Sequence, residues 1–102
     1  MKAFITGSRA YGLPTLKSDI DLVLLVSKEV KSLLTKFSDK GREPVRYGKL
    51  NLILCTTETE FALWKVGTEI TIKYKKRINK PINTKEAILI LDNLRLALGF
   101  PT

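Results

Sequence analysis

The chain has 102 residues, 44% hydrophobic and 27% charged, with 18 Lys and Arg against 10 Asp and Glu for a formal net charge of +8. That length predicts a single domain over residues 1–102 with a modest core, and no apolar run approaches the roughly 20 residues of a membrane-spanning helix. The charge and a pI near 9.8 favour polyanionic partners, whether nucleotides, nucleic acid or an acidic protein, without choosing among them.

The chain opens with MKAFITG, which enters a strand-like stretch without a hydrophobic signal segment. Cys55 is the only cysteine, so a cytoplasmic protein without disulfides is predicted. Residues 2–6 read as a first strand ending at Gly7, and residues 8–12 as one turn of helix closed by Gly12. Leu13-Pro14-Thr15 is a loop, because proline disfavours helical geometry in the residue before it. Residues 20–26 form a second strand, whose continuous apolar run implies burial on both faces. Ser27 is an N-cap for a helix to about Ser38, with Val30, Leu33, Leu34 and Phe37 on one apolar face and Gly41 beyond its end. Lysines 28, 31, 36 and 40 then form a solvated face.

Residues 44–55 read as one or two strands around Gly48. In LNLILC, Leu50, Leu52 and Leu54 share one face, and Asn51, Ile53 and Cys55 the other. Cys55 is therefore a buried structural thiol, with no histidine in the chain to activate it. Thr57 and Glu60 match a capping box, and Phe61 and Trp64 open the buried side of the following helix, Trp64 more as core than as a base-stacking platform. EITIKY, residues 69–74, alternates like a strand yet follows a helix directly, leaving its type open. Lys73, Lys75, Lys76, Arg77 and Lys80 are a basic run suited either to phosphate contacts or to a solvated helix end. Asn83 or Thr84 caps a last helix with a stripe of Ala87, Ile90, Leu91, Leu94 and Leu98, stopped by Gly99 and Pro101. Ile88 to Leu91 put apolar side chains around most of a turn, more than one core face needs, which leaves a homo-oligomer open. The order of elements predicts an α+β fold, a mixed β-sheet with helices packed on it.

The chemistry gathers in residues 7–26, GSRAYGLPTLKSDIDLVLLV. Asp19 and Asp21 stand one residue apart at the head of an apolar run, so on a strand both carboxylates project from one face, about 6.6 Å apart along it. Mg2+ is typically held by one or two such carboxylates together with substrate phosphates. Gly7 allows a phosphate to approach the backbone, and the Ser8 hydroxyl with the N–H groups opening the short helix can hydrogen-bond its oxygens.

Gly7-Ser8, ten residues, then Asp19-Ile20-Asp21 gives G-S-x10-D-x-D, which resembles the signature of the minimal nucleotidyltransferases of the DNA polymerase β-like superfamily over residues 3 to about 65. The resemblance implies a polymerase β palm-like fold. It also implies a nucleoside triphosphate held by Gly7, Ser8 and the fork of Arg9, and Mg2+ or Mn2+ held by Asp19 and Asp21, which are the catalytic pair. An AMP group would pass to a hydroxyl of a protein such as a cognate toxin, an RNA or a small molecule. One position departs from the pattern, since the third carboxylate of the family corresponds to Asn51, an amide that can coordinate through its oxygen but brings no charge and accepts no proton. Glu58 and Glu60, just beyond this strand, are alternative carboxylates, although their place in a helix cap is the simpler reading. Three readings follow, in this order: an active transferase, a degenerate member that binds nucleotide and metal without transfer, and a nucleic-acid-binding module relying on basic surface alone.

Overall fold

The computed structural model describes residues 2–99. Its elements are β1 (Lys2–Thr6), α1 (Ser8–Tyr11), β2 (Ile20–Leu25), α2 (Lys28–Lys36), β3 (Val45–Tyr47), β4 (Leu50–Cys55), α3 (Glu58–Ile78) and α4 (Thr84–Ala97). The strands form one mixed sheet in the order β1-β2-β4-β3, in which β2 pairs antiparallel with β1 and parallel with β4, and β3 and β4 form an antiparallel hairpin. The α+β architecture is thus the one predicted. Gly48, at φ 61°, turns the β3–β4 hairpin, a left-handed conformation that glycine adopts without steric cost.

Side-chain alternation along β2 and β4 gives the sheet two apolar faces. Leu24, Val26, Val45 and Leu54 form a buried cluster on one face, with Leu22, Leu34, Tyr47 and Leu52 packed against it. Val23, Cys55 and Phe61 form the cluster on the other, joined by Phe4, Leu25, Ile53 and Trp64. Burial on both sides of the central strands is why β2 reads as an unbroken apolar run rather than an alternating one. Among the described residues no helix is long and apolar enough to cross a membrane.

The caps form as predicted. Ser27, Thr57 and Asn83 accept hydrogen bonds from the N–H groups of Val30, Glu60 and Glu86 respectively. One open assignment is resolved and two expectations change. EITIKY is helix, the middle of α3, and the residue it buries is Thr71 rather than an isoleucine; Ile70 is exposed. Thr71 tolerates that position because its hydroxyl donates to the Gly67 carbonyl at 2.8 Å. The apolar side of α2 is not a core face: Leu34 packs on the sheet, where the Tyr47 hydroxyl also donates to the Leu34 carbonyl, while Val30, Leu33 and Phe37 are exposed. Leu98, assigned to the stripe of α4, lies past the helix end and is exposed, whereas Pro101 lies outside the described residues.

One buried polar contact ties the sheet to the long helix. Thr6, the last residue of β1, and Thr68 of α3 share a hydrogen bond of 2.8 Å between their hydroxyls. Thr68→Val removes this bond and leaves the buried Thr6 hydroxyl one partner fewer, which costs about 1 kcal/mol. A fall in Tm of about 4–8 °C per kcal/mol is expected for a chain of this size, with Thr68→Ser near wild type. Equal Tm values for wild type and Thr68→Val would remove this contact from the energetics.

Cys55 is fully buried, and burial pushes its thiol up to about 11, with Glu60 acting in the same direction and Lys31 and Arg95 against it. A raised folded-state pKa favours the protonated form. The stability this confers is complete below the ordinary thiol value of 9.0 and is lost as pH rises through about 11. Urea midpoints are therefore expected to fall across that window, less steeply in Cys55→Ala. A Cys55→Ala profile parallel to wild type would assign the slope to other groups.

Candidate functional site

Gly7 joins β1 to α1 at φ 73° and ψ −156°, a combination reached essentially by glycine alone. Its missing side chain is also a matter of space. A Cβ built on Gly7 would lie 2.1 Å from Oδ2 of Asp21, so the Asp21 carboxylate occupies the volume that any other residue would need. Ala10 and Tyr11 donate to the Gly7 carbonyl at 2.9 and 3.1 Å, closing the first helical turn. The N–H groups of Ser8 and Arg9 precede those bonds and have no acceptor within the helix.

The sheet register sets out the rest. Thr6 pairs with Asp21, Asp21 with Asn51, and Asn51 with Arg46, giving one row of side chains across all four strands. Asp19 precedes β2 and returns to the same row. The Asn51 amide donates to Asp21 Oδ1 at 3.0 Å and to Asp19 Oδ2 at 3.4 Å, and Arg46 Nη2 donates to Asp19 Oδ1 at 2.9 Å. Asp19 and Asp21 are thus brought together, and Asn51 stands between them as a donor. Glu58 and Glu60 lie beyond the opposite end of β4, about 13 Å of strand away from Asn51. At that distance they do not substitute for a third carboxylate: Glu58 pairs with Lys2 at 3.3 Å, and Glu60 enters the α3 cap through its backbone N–H.

Arg9 is turned to the loop. Its Nη2 donates to the carbonyls of Thr15 at 3.4 Å and Ser18 at 3.1 Å, so it braces the segment between the glycine turn and the acidic pair. The Ser18 hydroxyl accepts from the Thr15 N–H at 2.8 Å within the same loop. Of the basic run, Lys75 donates to the Gly12 carbonyl at 3.2 Å and fixes the far end of α1, while Lys73, Lys76, Arg77 and Lys80 are exposed.

A cleft of about 390 Å3 runs from this row to α4. One wall carries Gly7, Ser8, Asp19 and Asp21; the other is apolar, with Ile53, Trp64 and Ile88. Trp64 is half-buried with the Arg95 guanidinium 6.0 Å from its ring centroid, so it is a core residue that also faces the cleft. A turn with free N–H groups, two converging carboxylates and an apolar wall together suit a ligand with phosphate at one end and an apolar ring at the other.

Over residues 1–91 the sequence matches the family model described as a nucleotidyltransferase domain. The chain belongs to that family. No curated protein and no solved structure matches it. Nucleotidyl transfer with a nucleoside triphosphate as substrate is the general chemistry of the family, and it fits a cleft in which turn and carboxylates touch.

Two residues of this nucleotidyltransferase domain are not evident from a reading of the motif. Arg46 has a signal once the hairpin is recognised, because a two-residue turn at Gly48-Lys49 pairs residue 46 with residue 51. Tyr11, on the cleft wall, has none. Burial pushes its phenol up and the Asp21 charge adds to this, while the Thr6 side chain and the Gly7 backbone pull the other way.

Gly7→Ala should cost stability through both strain, about 1–3 kcal/mol, and collision with Asp21. The two causes separate in a double-mutant cycle. Gly7→Ala is expected to be less damaging in an Asp21→Ala background, where the collision is gone. Identical costs in the two backgrounds would leave backbone strain as the whole effect.

Proposed function

We propose that the chain, acting as one domain in the cytoplasm, transfers a nucleoside monophosphate, AMP in the first instance, from a triphosphate to a hydroxyl of a protein, an RNA or a small molecule. The observation that carries this reading is the contact of the Asp21 carboxylate with the space over Gly7, which makes the turn and the acidic pair one site. The Ser8 and Arg9 N–H groups and the Ser8 hydroxyl hold phosphate oxygens, and Arg9 keeps the intervening loop in place.

The donor set fits a hard divalent cation. Two carboxylates within reach of one amide concentrate negative charge, and Mg2+ commonly takes one or two carboxylates plus phosphates rather than a full protein cage. Asp19 and Asp21 would hold Mg2+ or Mn2+, which supplies Lewis-acid polarisation of the phosphate when bound. In the transfer, the acceptor oxygen forms a bond to the α-phosphorus, the bond from that phosphorus to the oxygen bridging to the β-phosphate breaks, and pyrophosphate leaves with the electron pair. The hydroxyl proton passes to Asp19 or Asp21, since the Asn51 amide accepts none. A second reading, binding without transfer, is favoured by the orientation of Asn51, which presents N–H groups to the pair where a third carboxylate would accept that proton.

Mg2+ with ATP is expected to raise Tm more than either alone, since a ligand of the native state stabilises it by mass action. Asp19→Asn with Asp21→Asn should abolish the synergy, and an undiminished shift in that variant would end the metal role. EDTA should weaken triphosphate binding more than moderate salt does. Duplex binding that survives EDTA but falls steeply with salt would instead identify a basic nucleic-acid module. Release of pyrophosphate on incubation with labelled triphosphates and candidate acceptors separates transfer from binding.

A further inference from the structure

Asp19 and Asp21 carry four carboxylate oxygens between them, and the chain's own donors engage three. Arg46 Nη2 holds Asp19 Oδ1 at 2.9 Å, and Asn51 Nδ2 holds Asp19 Oδ2 at 3.4 Å and Asp21 Oδ1 at 3.0 Å. The fourth, Asp21 Oδ2, points at the glycine turn, 2.1 Å from the place of a Gly7 Cβ. The pair is therefore asymmetric, with its Asp19 side closed by a guanidinium and its Asp21 side directed at the phosphate turn.

Arg46 is held for that task from several directions. Its Nε donates to the Gly48 carbonyl at 2.8 Å, its carbonyl accepts from the Asp39 N–H at 2.8 Å, and Asp39 Oδ2 accepts from the Gly48 N–H at 2.9 Å. One guanidinium thus spans the Gly48 carbonyl and the Asp19 carboxylate, which places its charge against Asp19. Register adds the link to position 51, because Arg46 and Asn51 are direct neighbours across the β3–β4 hairpin. A neutral residue at position 51 and a cation at position 46 both make the Asp19 side of the site more positive.

We propose that Arg46 is a built-in cation of the site, replacing on the Asp19 side a divalent ion that a third carboxylate would recruit, so that one ion, on the Asp21 side facing the turn, completes it. This rests on the proposed function. Arg46 is then a positioning residue, setting ion number through its charge and the orientation of Asp19.

The test counts Mn2+ bound per chain by electron paramagnetic resonance, with a saturating ATP analogue whose α,β-bridging oxygen is replaced by methylene. Wild type, Arg46→Met, Asn51→Asp, Arg46→Met/Asn51→Asp and Arg46→Lys/Asn51→Asp are compared, with circular dichroism confirming each fold. One ion is expected in wild type and in each single variant, tighter in Asn51→Asp, and two in Arg46→Met/Asn51→Asp. The Lys-containing double variant should return to one, because the charge is restored. Two ions in wild type, two in Asn51→Asp alone, one in Arg46→Met/Asn51→Asp, or two in the Lys variant would each overturn the role of Arg46 while leaving the metal and triphosphate reading intact. No Mn2+ bound to any variant would end that reading and this inference with it.

Discussion

Two carboxylates brought side by side repel each other, and the architecture at this end of the sheet depends on how that repulsion is met. Asp19 and Asp21 are close enough for one amide to bond both, and a guanidinium closes the outer side. Exposed ion pairs contribute little by themselves, and the Arg46–Asp19 pair, with side chains 45% and 38% accessible, belongs among them. Its significance lies in geometry. Once Arg46 and Asn51 fix three oxygens, the fourth has one direction left to face, and that direction is the Gly7 turn.

The sheet supplies the precision this needs. Parallel pairing of β2 with β4 and antiparallel pairing of β4 with β3 put residues 21, 51 and 46 in one row without any loop having to find the position. A slip of one residue in either pairing would send the partner to the opposite face, among Leu24, Val26 and Leu54, where a charge has no counterpart. The same apolar clusters that stabilise the fold therefore lock the register of the site. The Thr6–Thr68 hydrogen bond extends the row into α3 and fixes the point where β1 gives way to the turn.

Much of this was legible in the sequence, because the informative signals were local. A Ser, Thr or Asn followed by a free N–H marks a helix start, and Ser27, Thr57 and Asn83 all serve so. The turn and the acidic pair were legible from spacing, and Asn51 from its place on an alternating strand. An open assignment and the errors arose where periodicity is ambiguous or incomplete. EITIKY alternates with period two, yet the burial of Phe61, Thr68 and Thr71 follows a helix, and the capping box at Thr57 favours continuing one. Amphipathic spacing in α2 implied a buried face, but spacing does not report whether a partner surface exists for all of it. Arg46 was legible only at one remove, because its meaning depends on pairing two strands across the Gly48-Lys49 turn rather than on spacing within either one. Arg9 shows the converse, since its place beside the turn suggested phosphate while its fork braces the loop carbonyls.

Asn51 and Arg46 act as one arrangement spread over two paired positions. An aspartate at 51 would set a third negative charge 3.0 Å from Asp21, tolerable only with a cation close by, and Arg46 faces Asp19 rather than that gap. A neutral 51 beside an uncharged 46 would leave Asp19 with only a weak 3.4 Å donor and no fixed orientation. Either single change unbalances the row, whereas the pair found here keeps it closed before any ligand arrives. Such closure preorganises the Asp21 oxygen toward the turn, so less ordering remains to be done on binding. In the proposed transfer its cost would fall on the acceptor side, where the Asn51 amide, unlike a third carboxylate, accepts no proton. Proton removal in that proposed transfer would then rest with the same two aspartates that face the triphosphate, and coupling those duties would restrict how far either carboxylate can move.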